Sequence, residues 1–436
     1  MALFPQSALR DGVRKREVLG WAMYDFANSG YTTVVLTAVF NAYFVSVVAG
    51  GAPWATLAWT LTVAASSAVV MLTLPALGAW ADLRAAKKRL LGVATLACVL
   101  GTVALSFTGP GTLWLAVAAV IVSNVAFSYG ESLVAAFLPE LARPDALGRV
   151  SGWGWSLGYL GGMVALGLSL AHVLSATARG EPATAYVPVT LLITAGVYVV
   201  AASATFVLLR ERAVPGTGAG VGAGPAAGGV AASLRRLRDT WSRARTYRDY
   251  VWFLACSTSY QAGISVVITL AAVYAKEAMG FGDTDTMLLV FLVNIASAAG
   301  AFAFGYWQDR IGHRPALAVT LVGWVVMTAL AVAATGPALF WVAAVVAGLC
   351  MGSSQSAGRA MVGLFTPDDR RAEFFALWTF ATRLSAIVGP VTYGLLALAT
   401  GGQHRIAMAA TALFFAGGLV CLHRVDLARG AAAARA

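Results

Sequence analysis

Five charged residues, Asp25, Glu131, Arg359, Glu373 and Arg383, stand within or at the edge of long apolar runs of the chain. A charge at the centre of a bilayer costs roughly 2.5–3.5 kcal/mol on insertion scales, so such residues face a cavity, pair with one another, or mark an ion or solute path. Their neighbours extend the pattern. Asp25, Asn28, Ser29 and Thr32 fall within an arc of about 100° at helical spacing, as do Asn124, Ser128 and Glu131. Ser257, Thr258, Gln261 and Ser265 repeat it further on, and Gly348, Gly352, Gln355 and Arg359 share one side of another run. A buried carboxylate whose neighbours change can take up and release a proton, and a facing carboxylate and guanidinium can part around a zwitterion. These stripes select Asp25, Asn28, Asn124, Glu131, Gln261, Gln355, Arg359 and Arg383 as candidates for substrate and proton binding. The structural alternative is hydrogen bonds and ion pairs that only tie helices together. Asn294 reads as an ordinary packing amide, and Glu373 equally as a carboxylate favoured by a helix start.

The elements that position these residues follow from composition. With 59% hydrophobic and 11% charged residues over 436 positions, the chain has more apolar surface than one soluble core can bury, and lipid must cover it. Stretches able to cross roughly 30 Å of hydrocarbon as helices occur about twelve times: 19–48, 54–80, 90–108, 112–139, 150–174, 187–209, 250–275, 286–307, 316–335, 338–362, 373–399 and 405–423. The first is too long, and lacks the small-residue cleavage site, for a removable leader; it reads as a retained span. The net charge of +11 is explained by loops flanking the membrane, so nucleic acid is not an expected partner. With the N-terminus in the cytoplasm, Arg10, Arg14, Lys15, Arg16, Arg84, Lys87, Lys88, Arg89, Arg370 and Arg371 fall inside. Arg179, Lys276 and Arg405 fall outside. Such asymmetry is the positive-inside signal and places both termini in the cytoplasm, in the inner (plasma) membrane. Cys98, Cys256, Cys350 and Cys421 all lie in apolar runs without ligand spacing, so no disulfide, metal or cofactor is expected.

The chain also repeats itself. Gly78-Ala79-Trp80-Ala81-Asp82 and Gly305-Tyr306-Trp307-Gln308-Asp309 each close an apolar run and are followed by basic residues. Pro139 with Pro367, Gly161 with Gly389 and Glu131 with Arg359 keep nearly the same offset. Two related halves in a membrane protein point to a transporter with its site between them. The expected organisation is a six-helix half over 1–209, a linker segment over 210–248 and a second six-helix half over 249–436. Within the linker, 213–231 is almost wholly Ala, Gly, Val and Pro. Residues 233–248 then place Leu234, Leu237 and Trp241 on one face and arginines on the others, as in an interfacial helix. If the halves are related by a two-fold axis along the membrane normal, Glu131 and Arg359 occupy equivalent places and could pair across it. Gly154, Gly158 and Gly162, like Gly348 and Gly352, recur at the spacing that lets helices pack closely.

The two Gly-x-x-x-Asp elbows, each between the second and third spans of a half, resemble the signature loop of the major facilitator superfamily. Gly305, Asp309, Arg310, Gly312 and Arg314 match closely, whereas the first copy has Ala85 and Ala86 where a glycine is usual. The resemblance implies that Asp82 and Asp309 help to latch one side of the molecule; Glu373 joins them as a gate candidate. Three stretches resemble the vacuole effluxer family more narrowly: Trp21 to Tyr31, Gly148 to Tyr159, and Gln355 to Arg359 followed by Ala372-Glu373-Phe374-Phe375. That family comprises fungal autophagy-related amino-acid exporters and bacterial relatives.

The expectation is an all-α membrane protein of twelve transmembrane helices in two six-helix repeats. It would act as a monomeric secondary transporter of an amino acid or related zwitterion, by alternating access. No phosphate loop of the Gly-x-x-x-x-Gly-Lys-Ser/Thr type is present, so a proton gradient, with sodium as the alternative, would supply the energy. Two rivals are a transporter of lipids or amphipathic drugs, hinted at by Trp153, Trp155 and Trp378 as aromatic surface, and a non-transporting sensor. An enzyme is not expected, for no catalytic constellation is recognisable.

Overall fold

The computed structural model describes residues 4–212, 238, 242, 244–279, 281, 283–401 and 403–435. Twelve helices are long and apolar enough to cross a membrane. The first lobe contains α1 (Lys15–Val48), α2 (Ala55–Arg84), α3 (Lys87–Leu105), α4 (Leu113–Leu141), α5 (Pro144–Ala178) and α6 (Ala183–Leu208). The second contains α7 (Arg248–Met279), α8 (Asp283–Ile311), α9 (His313–Ala333), α10 (Pro337–Phe365), α11 (Arg371–Ala399) and α12 (His404–His423), followed by a short α13 (Leu427–Arg435). The helices form because apolar runs in lipid must satisfy their backbone groups internally. Leu57, Leu100, Trp114, Val200, Leu398 and Leu413 stay exposed on the outer surface, where lipid is their solvent. The linker and the interfacial helix expected over 233–248 lie almost wholly outside the described residues.

Both chain ends lie on one face. Leu9 bridges to Ala142, with the Arg10 amide donating to Leu141 O. On the same face α13 is clamped to the start of α7 by Arg429, whose Nε and Nη2 each approach Asp249 at 2.7 Å. The most extensive contacts between the lobes are those of α2 with α11 and α5 with α8, and α5 also meets α10 and α4 meets α11. In each of the two most extensive pairs the second span of one half packs against the fifth span of the other. The close approaches depend on glycine: a methyl group at Gly78 would lie 2.5 Å from Ala372 O, and one at Gly305 2.7 Å from Gly148 O.

The expected glycine series divides by neighbour. Gly348 and Gly352 pack on the backbone of α8, while Gly154, Gly158 and Gly162 face side chains of α1. α1 itself departs from regular geometry, running through π-helical turns at Thr32–Ala38 and Phe44–Val48. The elbow after α2 shows the cost of its missing glycine. Ala85 adopts φ 47°, a left-handed conformation that an L side chain resists, whereas the second elbow uses Gly312 at φ 94°. Left-handed geometry costs a non-glycine residue roughly 1–2 kcal/mol, partly offset by the greater unfolded freedom of glycine. Ala85→Gly is therefore expected to stabilise the protein by up to about 1 kcal/mol. Thermal unfolding of the purified variant checks this, and a lowered midpoint would refute it.

Candidate functional site

The lobes meet in layers that start at the face carrying the termini. In the outermost layer each elbow aspartate caps a helix of the other lobe. Asp82 accepts the amides of Ala372 and Glu373, at 3.0 and 2.9 Å, at the first turn of α11. Asp309 accepts the amides of Gly148 and Arg149, at 2.9 and 3.1 Å, and Arg149 Nε at 2.8 Å, where α5 becomes regular α-helix at Leu147. Free amides at a helix N-terminus bind anions well. Glu373 reaches this layer through its backbone, and its side chain is buried.

A buried charge cluster reinforces the seam, and sequence reasoning missed it. Lys87 and Arg371, expected in loops flanking the membrane, are both buried. Glu140, at the end of α4, pairs with Lys87 and also with Arg371 Nη1 at 3.3 Å across the lobes. Glu211 then caps α3, accepting the amides of Lys87 and Lys88 at 2.7 and 3.1 Å. Desolvation lifts the Glu211 carboxyl above its ordinary range, against the pull of those two amides. Arg212 closes the cluster on Glu17 at 2.7 Å. The signal in the sequence was only the run of basic residues, which is the same for loop and core.

The next layer is an ion pair across the lobes. Arg359 of α10 donates through Nη1 to Asp25 Oδ2 at 2.7 Å, through Nε to Ser151 Oγ at 3.2 Å and through Nη2 to Ser151 O at 3.0 Å. Its guanidinium carbon lies 4.8 Å from the centroid of Trp21 and 5.1 Å from that of Trp155. Gly154 makes this possible, since a methyl there would come 2.5 Å from Asp25 Oδ2 and 2.6 Å from Arg359 Nη2. The Arg359 side chain is 3% exposed and that of Asp25 12%.

Above it, about 15 Å along α4 from its end at the termini face, Glu131 pairs with Arg383 of α11 at 3.1 Å. The two pairs lie within electrostatic reach of each other. This second pair is open: Glu131 is 39% exposed and Arg383 18%. Arg383 lies 5.8 Å from the Phe127 ring, and its Nε is buried with no acceptor. Hydrogen bonds and ion pairs thus join the lobes from the termini face up to this level, where Ser156 of α5 also donates to Ala298 O of α8 at 2.9 Å. The expected pairing of Glu131 with Arg359 is thus not the one formed. The repeat makes them symmetry mates, but α1 and α11 each bring a nearer partner of opposite charge.

The remaining candidates serve within lobes. Asn28 accepts from Tyr198 of α6 at 2.8 Å, and Tyr198 continues through Tyr24 to Thr95 of α3. Asn124 donates to Ser66 of α2 at 2.6 Å, leaving its Oδ1 buried without a partner. Neither approaches the charged pairs in the contacts observed, so a polar stripe on a helix is partly consumed by packing. Gln261 and Gln355 bond each other at 2.9 Å within the second lobe. Asn294 donates to Val290 O of its own helix. Of the tryptophans expected as aromatic surface, Trp153, stacked edgewise on Phe4, and Trp378, donating to Ser257, are buried, while Trp155 is half-buried and lies on Arg359.

Comparison with known proteins agrees with the twelve-helix fold. The family model described as vacuole effluxer Atg22 like matches residues 55–435. An uncharacterised MFS-type transporter, YxiO of Bacillus subtilis, is 26% identical over 410 residues, covering 91% of this chain and 92% of the relative. Autophagy-related protein 22-1 of Aspergillus niger is 26% identical over 51% of this chain but only 38% of its own length. Among solved structures, the human organic anion transporter MFSD10 superposes with a TM-score of 0.72 at 14% identity, covering 94% of this chain and 99% of that one. The proton:xylose symporter XylE gives 0.69 at 14% identity, covering 94% of each chain. A bacterial homologue of ferroportin in an outward-facing state gives 0.68 at 16% identity over 94% and 99%.

Proposed function

Since the chain belongs to the Atg22-like vacuole effluxer family and is an integral membrane transporter of the major facilitator type, we propose that it moves an amino acid or related zwitterion by alternating access. The observation that carries this reading is the open Glu131–Arg383 pair. A solute reaching the exposed part of the pair would place its carboxylate on the Arg383 guanidinium and its ammonium group on Glu131. The arginine suits this role because its planar fork matches a carboxylate. Binding would replace one interlobe ion pair by two, so the loaded site would hold the lobes together as the empty one does.

The lobes, residues 1–209 and 249–436 joined by 210–248, would rock about this site. Opening toward the termini must break both aspartate caps and withdraw Arg359 from Asp25. A carboxylate left alone in an apolar seam is costly, which makes Asp25 the first choice for the coupling proton and Glu131 the second, with sodium as the alternative ion. The basic residues flanking the terminal face support an orientation with that face in the cytoplasm and the protein in the inner membrane. The protein would then work as a monomer and rest open to the outside.

Thermal unfolding of the purified protein against amino acids, sugars, nucleosides, lipids and amphipathic drugs tests the substrate class, because a ligand of the folded state raises the midpoint. Amino acids should stabilise the wild type and leave Arg383→Gln and Glu131→Gln unmoved. Stabilisation by sugars or apolar compounds alone, or by amino acids equally in all three proteins, would overturn the assignment.

A further inference from the structure

Arg359 belongs to the second lobe, but everything that holds its guanidinium belongs to the first. Asp25 and Trp21 come from α1, and Ser151, Gly154 and Trp155 from α5. The group is gripped by a carboxylate at 2.7 Å, a carbonyl and a hydroxyl at 3.0 and 3.2 Å, and two indole faces at 4.8 and 5.1 Å. Indole faces attract cations through the ring quadrupole, and a flat guanidinium stacks on them better than a hydrated ammonium does. Donors in the guanidinium plane meet oxygens while its faces meet carbon, and Gly154 removes the atom that would obstruct both.

We infer that the first lobe carries a preformed guanidinium socket, filled in this state by Arg359 as an internal ligand and open to small guanidinium solutes once the lobes part. The socket is distinct from the Glu131–Arg383 pair, and it directs the search for substrates toward solutes with a cationic planar head, such as free arginine or simple alkylguanidines. The existence of the socket does not depend on the zwitterion reading, whereas its exposure to solutes in the wild type rests on alternating access.

The first experiment asks about the socket alone. Full-length Arg359→Ala protein is purified and unfolded thermally with increasing methylguanidinium chloride, and tetramethylammonium chloride serves as a cation of equal charge that cannot fill a flat slot. The expected result is a rising midpoint for methylguanidinium, half-saturated at about tenfold lower concentration than for tetramethylammonium. Adding Trp155→Leu should abolish that difference. Equal responses to both salts, or no response to methylguanidinium, would overturn the proposal.

The second experiment keeps Arg359 in place and so does not depend on that variant folding. Ser356→Cys puts a near-isosteric thiol in the sealed seam, where Ser356 is fully buried. If methylguanidinium or free arginine competes for the socket, alkylation of this thiol, measured above the background of the four native cysteines, should rise several-fold over its rate with tetramethylammonium. An unchanged rate alongside a positive first experiment would leave the socket standing and reject its access during the transport cycle.

Discussion

Asp25→Asn is expected to destabilise the protein by roughly 3–5 kcal/mol, the cost of leaving one member of a buried ion pair without its partner. Arg359 would stay between Trp21 and Trp155, still bonded to Ser151, but with its charge opposed only by the more distant Glu131, which Arg383 already engages. Arg359→Met, which leaves the carboxylate instead, should behave similarly. The combination Asp25→Asn with Arg359→Met should recover much of the loss, because apolar groups of similar volume often replace a buried pair at little cost. Thermal or denaturant unfolding of the three variants decides it. Single variants as stable as the wild type would mean that the pair is solvated, and the layered seam described above would be wrong. Transport should fail in all three even where stability recovers, since in the proposed cycle this pair must break and re-form.

Asp82→Ala and Asp309→Ala should act on state rather than on folding. Each carboxylate caps a helix in the opposite lobe, and loss of a cap costs about 1–2 kcal/mol. When the lobes part, water can take over the freed amides, so the loss falls chiefly on the closed seam. Each substitution should shift the balance toward the form open at the termini by roughly 5- to 30-fold, and the double variant by about the product. Distances between spin labels on the terminal ends of α2 and α11, and of α5 and α8, would report the shift. An unchanged distribution together with a lowered melting midpoint would show that the caps stabilise the helices and not the closed state. Asp309→Ala should have the larger effect, because Asp309 also holds the Arg149 side chain at 2.8 Å.

Much of this was legible in the residues. Apolar runs separated by basic turns determine how many times the chain crosses, because a span in lipid has almost no choice but helix. The repeated Gly-x-x-x-Asp elbows announced the two lobes and picked out Asp82 and Asp309, since a short motif before a helix carries its own geometry. The intramembrane charges singled out residues that form the ion pairs between the lobes, because such residues are too costly to stand unpaired.

The tertiary structure decided which charge meets which. Asp25 and Arg359 come together from distant parts of the sequence, and helical periodicity gives only the side of a helix on which a residue lies. It cannot say whether that side faces a cavity, a lobe partner or another helix. Asn28 and Asn124 share stripes with Asp25 and Glu131, yet they turn to Tyr198 and Ser66 inside their own lobe. Lys87 and Arg371 read as loop charges and became core, through a glutamate that no local pattern connects to them. The socket of Trp21, Ser151, Gly154 and Trp155 was written in two conspicuous stretches of sequence, but its occupant lies in the other half of the chain. Composition and period determine where a helix runs, because those forces are local and act through the solvent; the pairing of buried charges depends on distances set only when two lobes close on each other.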